Sequence, residues 1–165
     1  MERGLVGEIV GRIERLGYRF ERLELTSPGP EIFERHYPSD QGWLGTVGSK
    51  TLEDYERQGL DPVQQIGTAD AVEIGTMVKG WLVEYMASGP VLVGVLRGNR
   101  CVEVVRKVVG ATLPVLAAPG TIRGDLSVDS PDVANAERRP IRNLVHASGD
   151  VEEAEREIAV WFADG

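Results

Sequence analysis

The sequence is short of cysteine and histidine, and it has no long apolar run. Its single cysteine, Cys101, excludes an internal disulfide and fits a reducing compartment, so we expect a cytoplasmic protein. One cysteine and two histidines are too few for the usual zinc clusters. No apolar stretch approaches the roughly 20 residues that span a bilayer, so no membrane partner is expected.

Lysine is also scarce, with only Lys50, Lys79 and Lys107, and the formal net charge is −8. Binding to nucleic acid relies on cations that neutralise phosphates, so we expect no specific nucleic-acid partner. A polyphosphate ligand would need local positive charge, and the cations here are mostly arginines, whose planar donors suit phosphate oxygens. Composition alone favours the plainer alternative, in which these arginines only solvate the surface.

The length of 165 residues and the 42% apolar content predict one domain, over residues 1–165, with a substantial core. Apolar spacing predicts helices over about 5–16, 30–37, 71–85, 101–108 and 151–162, and strands over 18–26, 91–96 and 144–145. This order has no regular βα alternation, which predicts an α+β sandwich. The alternation of the first of these strands breaks at Arg22 and Leu23, which indicates a bulge. We expect no strand before Leu5.

Two polar stretches, about 38–68 and 127–140, interrupt this pattern. The first has one short helical pattern around 52–58, and we interpret both as insertions that pack on the main core. Residues 111–125 lie between the helix predicted over 101–108 and the second polar stretch, and they contain Pro114 and the pair Pro119-Gly120. It is predicted to be a long ordered loop, and such loops often carry function.

The stretch from Arg142 to Glu157 predicts a short strand, a polar turn and an amphipathic helix. Asp150 is a good N-cap, and Glu153 three residues later completes a capping-box pattern. His146 and Ser148 would then lie near a helix N-terminus, where free N–H groups favour anions. An imidazole there can be a nucleophile toward phosphorus, a general base or a passive donor. Taken alone, it is more often structural.

The residues with the best chance of chemistry are Arg106, Thr112, Arg123, Asn143, His146, Ser148 and Glu157. Several segments around them resemble the nucleoside diphosphate kinase family: Arg3–Ile9, Ser88–Val91, Val104–Thr112, Ala117–Asp125 and Asn143–Ser148. The Asn-x-x-His and Thr-Ile-Arg-Gly-Asp elements, present together and in order, are highly specific. The resemblance covers the chain except for the two polar stretches.

The resemblance implies a ferredoxin-like fold and transfer of a γ-phosphate from a nucleoside triphosphate to a nucleoside diphosphate through a phosphohistidine. It implies that His146 is the nucleophile, that Glu157 orients its ring and that Ser148 supplies a nearby hydroxyl. The nucleotide-binding set that it implies is Tyr37, Arg106, Thr112, Arg123 and Asn143. It further implies Mg²⁺ held through nucleotide phosphates, with no metal ligand from the protein, and a homo-oligomer, either hexameric or tetrameric.

The sequence also departs from the family. The family's first strand ends in Lys-Pro-Asp-Gly, whose lysine reaches the phosphates, and we expect a misplaced start or a truncation just after that motif. Val78 stands where the family has a base-stacking phenylalanine, and Ala147 replaces a glycine. A catalytically impaired nucleotide-binding or oligomerising protein is therefore the alternative. A ferredoxin-like regulatory domain for another anion is a third hypothesis. His36 is interpreted as a surface or helix-end residue.

Overall fold

The computed structural model describes residues 3–163, which form helices around a small antiparallel sheet. In chain order the elements are α1 (Val6–Glu14), β1 (Arg19–Thr26), α2 (Pro30–His36), α3 (Gln41–Arg57), α4 (Pro62–Ile66), α5 (Ala71–Ala87), β2 (Val91–Arg97), α6 (Cys101–Val109), α7 (Ile122–Leu126), α8 (Pro131–Ala136) and α9 (Val151–Trp161). A 3₁₀ turn, Pro114–Leu116, lies between α6 and α7.

The two strands pair antiparallel, with Arg19 opposite Arg97 and Thr26 opposite Val91. The register shifts between Phe20 and Arg22, so a bulge lies one or two residues before the predicted position. The predicted helices over 5–16, 30–37, 71–85, 101–108 and 151–162 are all present, with ends that differ by a few residues.

The main core lies where α1, α6 and α7 meet the sheet. Ile13, Val109 and Ile122 are buried at its centre. The residues packed around them are Ile9, Phe20, Leu96, Val105, Val108, Leu126, Val145 and Ala147. The last two belong to the segment that precedes α9, so the core directly supports the stretch that carries His146.

The second packing centre is the close contact of α3 with α5. A Cβ built on Gly48 would lie 1.8 Å from the carbonyl oxygen of Ala71, and one on Gly75 would lie 2.0 Å from that of Leu44. The two helices therefore touch backbone to backbone, a distance that only glycine allows.

This contact corrects the prediction for 38–68, where only a short helix was expected. Residues 41–57 form the 17-residue helix α3, and 62–66 form α4. The glycines of α3 weaken its intrinsic helix propensity, so the sequence pattern under-predicts it. Packing on α5 and an N-cap bond from the Trp43 amide to Asp40 (2.9 Å) stabilise the helix instead.

The loop predicted over 111–125 and the polar stretch 127–140 are also more regular than expected. The first contains the 3₁₀ turn and α7, and the second contains α8. Thr121 caps α7 by accepting the amide of Gly124 (3.1 Å). These helices have five and six residues, too short for apolar periodicity to reveal them.

The strand predicted at 144–145 is wrong, since the structure has no strand there. Leu144 has a φ of +71°, a left-handed conformation that interrupts extended backbone. Carbonyls of this segment accept bonds from a side chain, Arg123, instead of from a neighbouring strand. Val145 does pack against the core, as its apolar residue type suggests. A strand also requires a neighbouring strand whose backbone pairs with it, and residue type alone does not show whether one is present.

Within residues 3–163, every helix is either too short or too polar to cross a bilayer.

Candidate active site

The segment from Asn143 to His146 is held from below by Arg123 on α7. The guanidinium donates to the carbonyl oxygens of Gly110 (3.0 Å), Asn143 (3.3 Å) and Val145 (2.5 Å). Arg123 is only 7% exposed, and burial, with a contribution from nearby Arg106, lowers its pKa to about 10. It remains a cation at neutral pH, and three of its N–H groups donate to backbone carbonyls.

The turn that follows His146 is held from the side by Arg106 on α6. One Nη1 donates to the carbonyl oxygen of Ala147 (3.3 Å) and lies 3.5 Å from that of Ser148. Because Arg106 is largely exposed, it places a positive charge at the surface beside His146. A basic residue in that position can meet an anion that approaches the imidazole.

The start of α9 fixes the other end of the turn. Asp150 accepts the amide of Glu153 (2.8 Å), which confirms the predicted N-cap. In a capping box the Glu153 carboxylate would accept the amide of Asp150. Here it accepts the amide of Gly149, one residue earlier. Asp150 and Glu153 thus cap the N-terminus of α9, and the helix positions Glu157 one turn after Glu153.

His146, Ser148 and Glu157 form one hydrogen-bonded group. The Nε2 atom of His146 lies 2.9 Å from Oε1 of Glu157, and the Ser148 hydroxyl donates to Oε2 at 2.5 Å. Burial acts to raise the pKa of Glu157, but the bonds from His146 and Ser148 outweigh it, so the pKa lies below its ordinary value. An ionised carboxylate accepts only, which assigns the proton of His146 to Nε2.

The other ring nitrogen of His146, Nδ1, then carries a lone pair. Among the described residues it makes no hydrogen bond, while the side chain as a whole is 38% exposed. The imidazole therefore has one nitrogen bound to a carboxylate and the other without a hydrogen-bond partner among the described residues, on a side chain that solvent reaches. This arrangement suits a nucleophile oriented by a base.

His36 is the residue whose position differs most from its interpretation. It does end α2, as expected, but it is only 4% exposed, and the prediction of a surface residue is wrong. Its ring lies edge to face with that of His146, with centroids 4.7 Å apart and planes at 82°. Phe33, three residues earlier, is fully buried. That spacing was the available signal for a buried His36.

Two residues of α9 fix His36. The indole Nε1–H of Trp161 donates to its Nδ1 at 3.2 Å, and Arg156 donates to its carbonyl oxygen at 2.8 Å. Burial and the nearby His146 lower the pKa of His36 to about 4, so it is neutral at physiological pH. Because Nδ1 accepts, the ring proton is on Nε2, which lies 3.7 Å from Oε1 of Glu157.

The remaining predicted residues border this group. Tyr37 packs edge to face on His36, with ring centroids 4.8 Å apart, and burial together with the charge of Glu157 raises its pKa to about 12. Asn143 donates its side-chain amide to the carbonyl oxygen of Thr112 at 3.2 Å. The structure thus gathers all eight predicted residues around the segment from 143 to 149.

One group of three residues could in principle hold a metal ion. Ligand atoms of His36, His146 and Glu157 all lie within 4.8 Å of one another. The tautomer of His36 argues against a resident ion, because Nε2 carries the proton that a ligand must lack. Moving that proton to Nδ1 would set two donors, Nδ1–H and the indole N–H of Trp161, against each other.

Comparison with known proteins identifies the family. A family model described as nucleoside diphosphate kinase matches residues 74–165. A nucleoside diphosphate kinase of Pyrobaculum aerophilum is 54% identical over 162 residues, which cover 98% of this chain and 88% of the relative. The chain belongs to the nucleoside diphosphate kinase family. A relative from Streptococcus pneumoniae is 37% identical over 98% of this chain and 91% of its own length.

Solved structures of the family agree in fold. An NDP kinase from Pyrobaculum aerophilum has a TM-score of 0.95 at 53% identity and covers 98% of this chain and 88% of its own. A nucleoside-diphosphate kinase from Borrelia burgdorferi, a transition-state mimic with bound vanadate and ADP, has a TM-score of 0.73 at 33% identity, covering 99% and 80%. The family resemblance and the ferredoxin-like α+β fold are confirmed.

Proposed function

We propose that this family member is a nucleoside diphosphate kinase, a phosphotransferase whose nucleophile is Nδ1 of His146. The observation that carries the proposal is the 2.9 Å contact between Nε2 of His146 and Glu157, on an imidazole side chain that is 38% exposed. Its substrates would be nucleoside tri- and diphosphates. A bound carboxylate on one side of the ring increases the basicity of the nitrogen on the other.

In the first half-reaction, the Nδ1 lone pair of His146 forms a bond to the γ-phosphorus. The bond from that phosphorus to the β,γ-bridging oxygen breaks, and its electron pair leaves with the nucleoside diphosphate. Positive charge develops on the imidazole, and the Glu157 carboxylate stabilises it without taking the Nε2 proton. The second half-reaction reverses these changes with a different diphosphate.

Charge on the phosphates would be met by arginine. Arg106 is exposed beside the turn from Ala147 to Ser148 and supplies the accessible cation of the pair. Arg123 is buried beneath Asn143 and Val145, so we propose that it contributes its charge at longer range while its N–H groups hold the backbone. Thr112, Asn143 and Tyr37 complete the proposed nucleotide-binding set.

Mg²⁺ is proposed to arrive with the nucleotide. The carboxylate that contacts His146 has both oxygens occupied, one by His146 and one by Ser148. Mg²⁺ prefers oxygen ligands and retains waters, so phosphates and solvent would supply its coordination shell. When bound, the ion would neutralise charge on the transferring phosphoryl group.

A second candidate is a family member that binds nucleotides but transfers phosphate poorly. Three N–H groups of Arg123 and one of the Asn143 amide already donate to backbone carbonyls. Only the remaining N–H groups of these two residues could bind a ligand without breaking those bonds. Nucleotide binding without transfer would favour this candidate.

The deciding experiment is incubation with γ-labelled ATP and Mg²⁺. We expect one acid-labile, base-stable phosphoryl group on His146, which is lost when a nucleoside diphosphate is added. His146→Gln should abolish the label, and Glu157→Gln should lower its rate of formation by roughly 100-fold. Glu155→Gln, an exposed change two residues from Glu157 on the same helix, is the matched control and should leave the rate unchanged.

Absence of label in the wild-type protein that still binds ATP would overturn the proposed transfer and favour the second candidate. We also propose a homo-oligomer, hexameric or tetrameric, in the cytoplasm. Light scattering of the purified protein tests the assembly, and a monomer would contradict it.

A further inference from the structure

His36 lies within the active-site group but has no part in the phosphotransfer steps above. We propose that His36 is a positioning residue for phosphoryl transfer: its neutral Nε2–H tautomer fixes the ring plane of His146 and provides a second N–H facing Oε1 of Glu157. The inference rests on the proposed function, because it deepens the account of the same site.

The contact between the two histidines supplies the first part of the argument. The rings meet edge to face at 4.7 Å, a geometry that the charge distribution of aromatic rings favours. His146 is 38% exposed, so solvent alone would leave its ring free to rotate. The buried ring of His36 restricts that rotation from the protein side, in addition to the bond from Nε2 to Glu157.

The shared carboxylate oxygen supplies the second part. Oε1 of Glu157 lies 2.9 Å from Nε2 of His146 and 3.7 Å from Nε2 of His36. At 3.7 Å the second N–H is beyond a hydrogen bond, yet its dipole still acts on a carboxylate with only 9% side-chain exposure. The two N–H groups and the Ser148 hydroxyl act on this carboxylate together with Nη2 of Arg156, which also lies 3.7 Å from Oε1.

The anchoring of His36 supplies the third part. Trp161 donates to Nδ1, and α9 carries both Trp161 and Glu157. The same helix therefore selects the tautomer of His36 and presents the carboxylate that His36 faces. A histidine that only filled the core would also need a partner at its buried Nδ1, so the distinguishing feature is the N–H that faces the Glu157 carboxylate.

Two amide variants test the roles of Nδ1 and Nε2 of His36 separately. In His36→Asn, the side-chain oxygen takes the place of Nδ1 and keeps the acceptor for Trp161, but the group facing Glu157 is lost. In His36→Gln, the terminal amide N–H reaches the place of Nε2 and still faces Glu157. Ile74→Val, at a fully buried position on α5, is the control for lost packing alone.

Single-turnover formation of the phosphoenzyme is the kinetic readout. We expect His36→Asn to lower its rate roughly tenfold and His36→Gln by less than about threefold, with the KM for ATP within about twofold in both. Ile74→Val should change the rate by less than about twofold, although it lowers the melting temperature. Equal rates for the Asn and Gln variants, at any level, would overturn the positioning role.

Nitrogen-15 NMR of the imidazole rings tests the same inference without catalysis. We expect His36 as the Nε2–H tautomer in the wild type and a mixture of tautomers in Trp161→Phe. A wild-type signal from Nδ1–H of His36 would overturn the assignment. Because this measurement needs no ATP, its outcome stands even where the labelling experiment fails, and failure of the proposed function can be told from failure of this inference.

Discussion

The α3–α5 pair and the segment from 143 to 149 are held in opposite ways. In the helix pair, each backbone satisfies its own hydrogen bonds, and glycines at Gly48 and Gly75 let the two backbones touch. In the segment, the backbone has no regular structure, and arginine side chains bind its carbonyl oxygens. The helix pair is therefore held by close packing, and the segment is held by electrostatic interactions.

This difference separates stability from activity. The helix pair should be most sensitive to added volume at its glycines, since its contact depends on shape. The segment should tolerate small changes of volume but not loss of charge, since three carbonyls depend on one buried guanidinium. Arg156 and Lys79 extend the electrostatic scheme: each donates to a carbonyl near the C-terminal end of α2, at His36 and Glu34 respectively.

The largest effect is expected for Arg123→Met. The change leaves the carbonyls of Gly110, Asn143 and Val145 without their donor, which should lower the free energy of unfolding by about 3–5 kcal/mol. Urea unfolding measures the loss, and phosphoenzyme formation should fall with it. Arg138→Met removes an exposed guanidinium that donates to one carbonyl, of Gln65, and should cost about 1 kcal/mol. Similar losses for both variants would contradict the electrostatic account.

The next effect is on the pH dependence of stability. Burial, followed by the charge of His146, lowers the pKa of His36 to about 4 from an ordinary 6.5. The unfolded chain therefore binds a proton at a pH where the folded chain does not. This contribution to stability is complete above about pH 6.5 and is lost as the pH falls toward 4.

The expected loss from His36 is on the order of 3 kcal/mol over that range. Unfolding of the wild type and of His36→Gln at several pH values measures it as a difference that shrinks on acidification. Glu157, whose pKa is also lowered, chiefly by its bonds to His146 and Ser148, acts in the same direction at more acidic pH and is present in both proteins. A difference that stays constant from pH 7 to 4 would show that His36 titrates as if exposed.

A smaller effect tests the helix pair. Gly75→Ala places a Cβ against the Leu44 carbonyl and should cost about 1–3 kcal/mol through displacement of the helices. Gly80→Ala on the same helix has nothing within 4 Å of the new Cβ and should gain about 0.5–1 kcal/mol from helix propensity. Thermal unfolding distinguishes them. Opposite signs are the required result, with the phosphoenzyme rate unchanged in both.

The smallest effect compares two helix caps. Asp70 accepts the amides of Val72 and Glu73 at the start of α5, and Asp150 accepts that of Glu153 at the start of α9. Alanine at either position should cost about 1 kcal/mol. Only Asp150→Ala should also slow phosphoenzyme formation, because α9 presents Glu157. A slower rate in the Asp70 variant would contradict the separation of the two regions.

Much of the site was predictable because the types of its residues and their order along the chain indicate it. His146 and Ser148 follow an apolar pair and precede an acidic helix whose cap residue, Asp150, is evident from sequence. Local hydrogen-bond chemistry links Asp150 to Glu153 over three residues, so no distant contact is needed. His36 was not predictable with the same ease, since its partners Trp161 and Glu157 lie more than 120 positions away.

The sequence by itself determined most of the helices, the two strands β1 and β2 and the identity of the residues around His146, because periodicity and capping act over a few residues. Only the tertiary structure decided that Gly48 and Gly75 support a long helix pair and that 144–145 is not a strand. It also decided that Arg123 serves the backbone. These outcomes depend on which groups come into contact across the fold. The sequence does not show which group a given backbone carbonyl or glycine will contact.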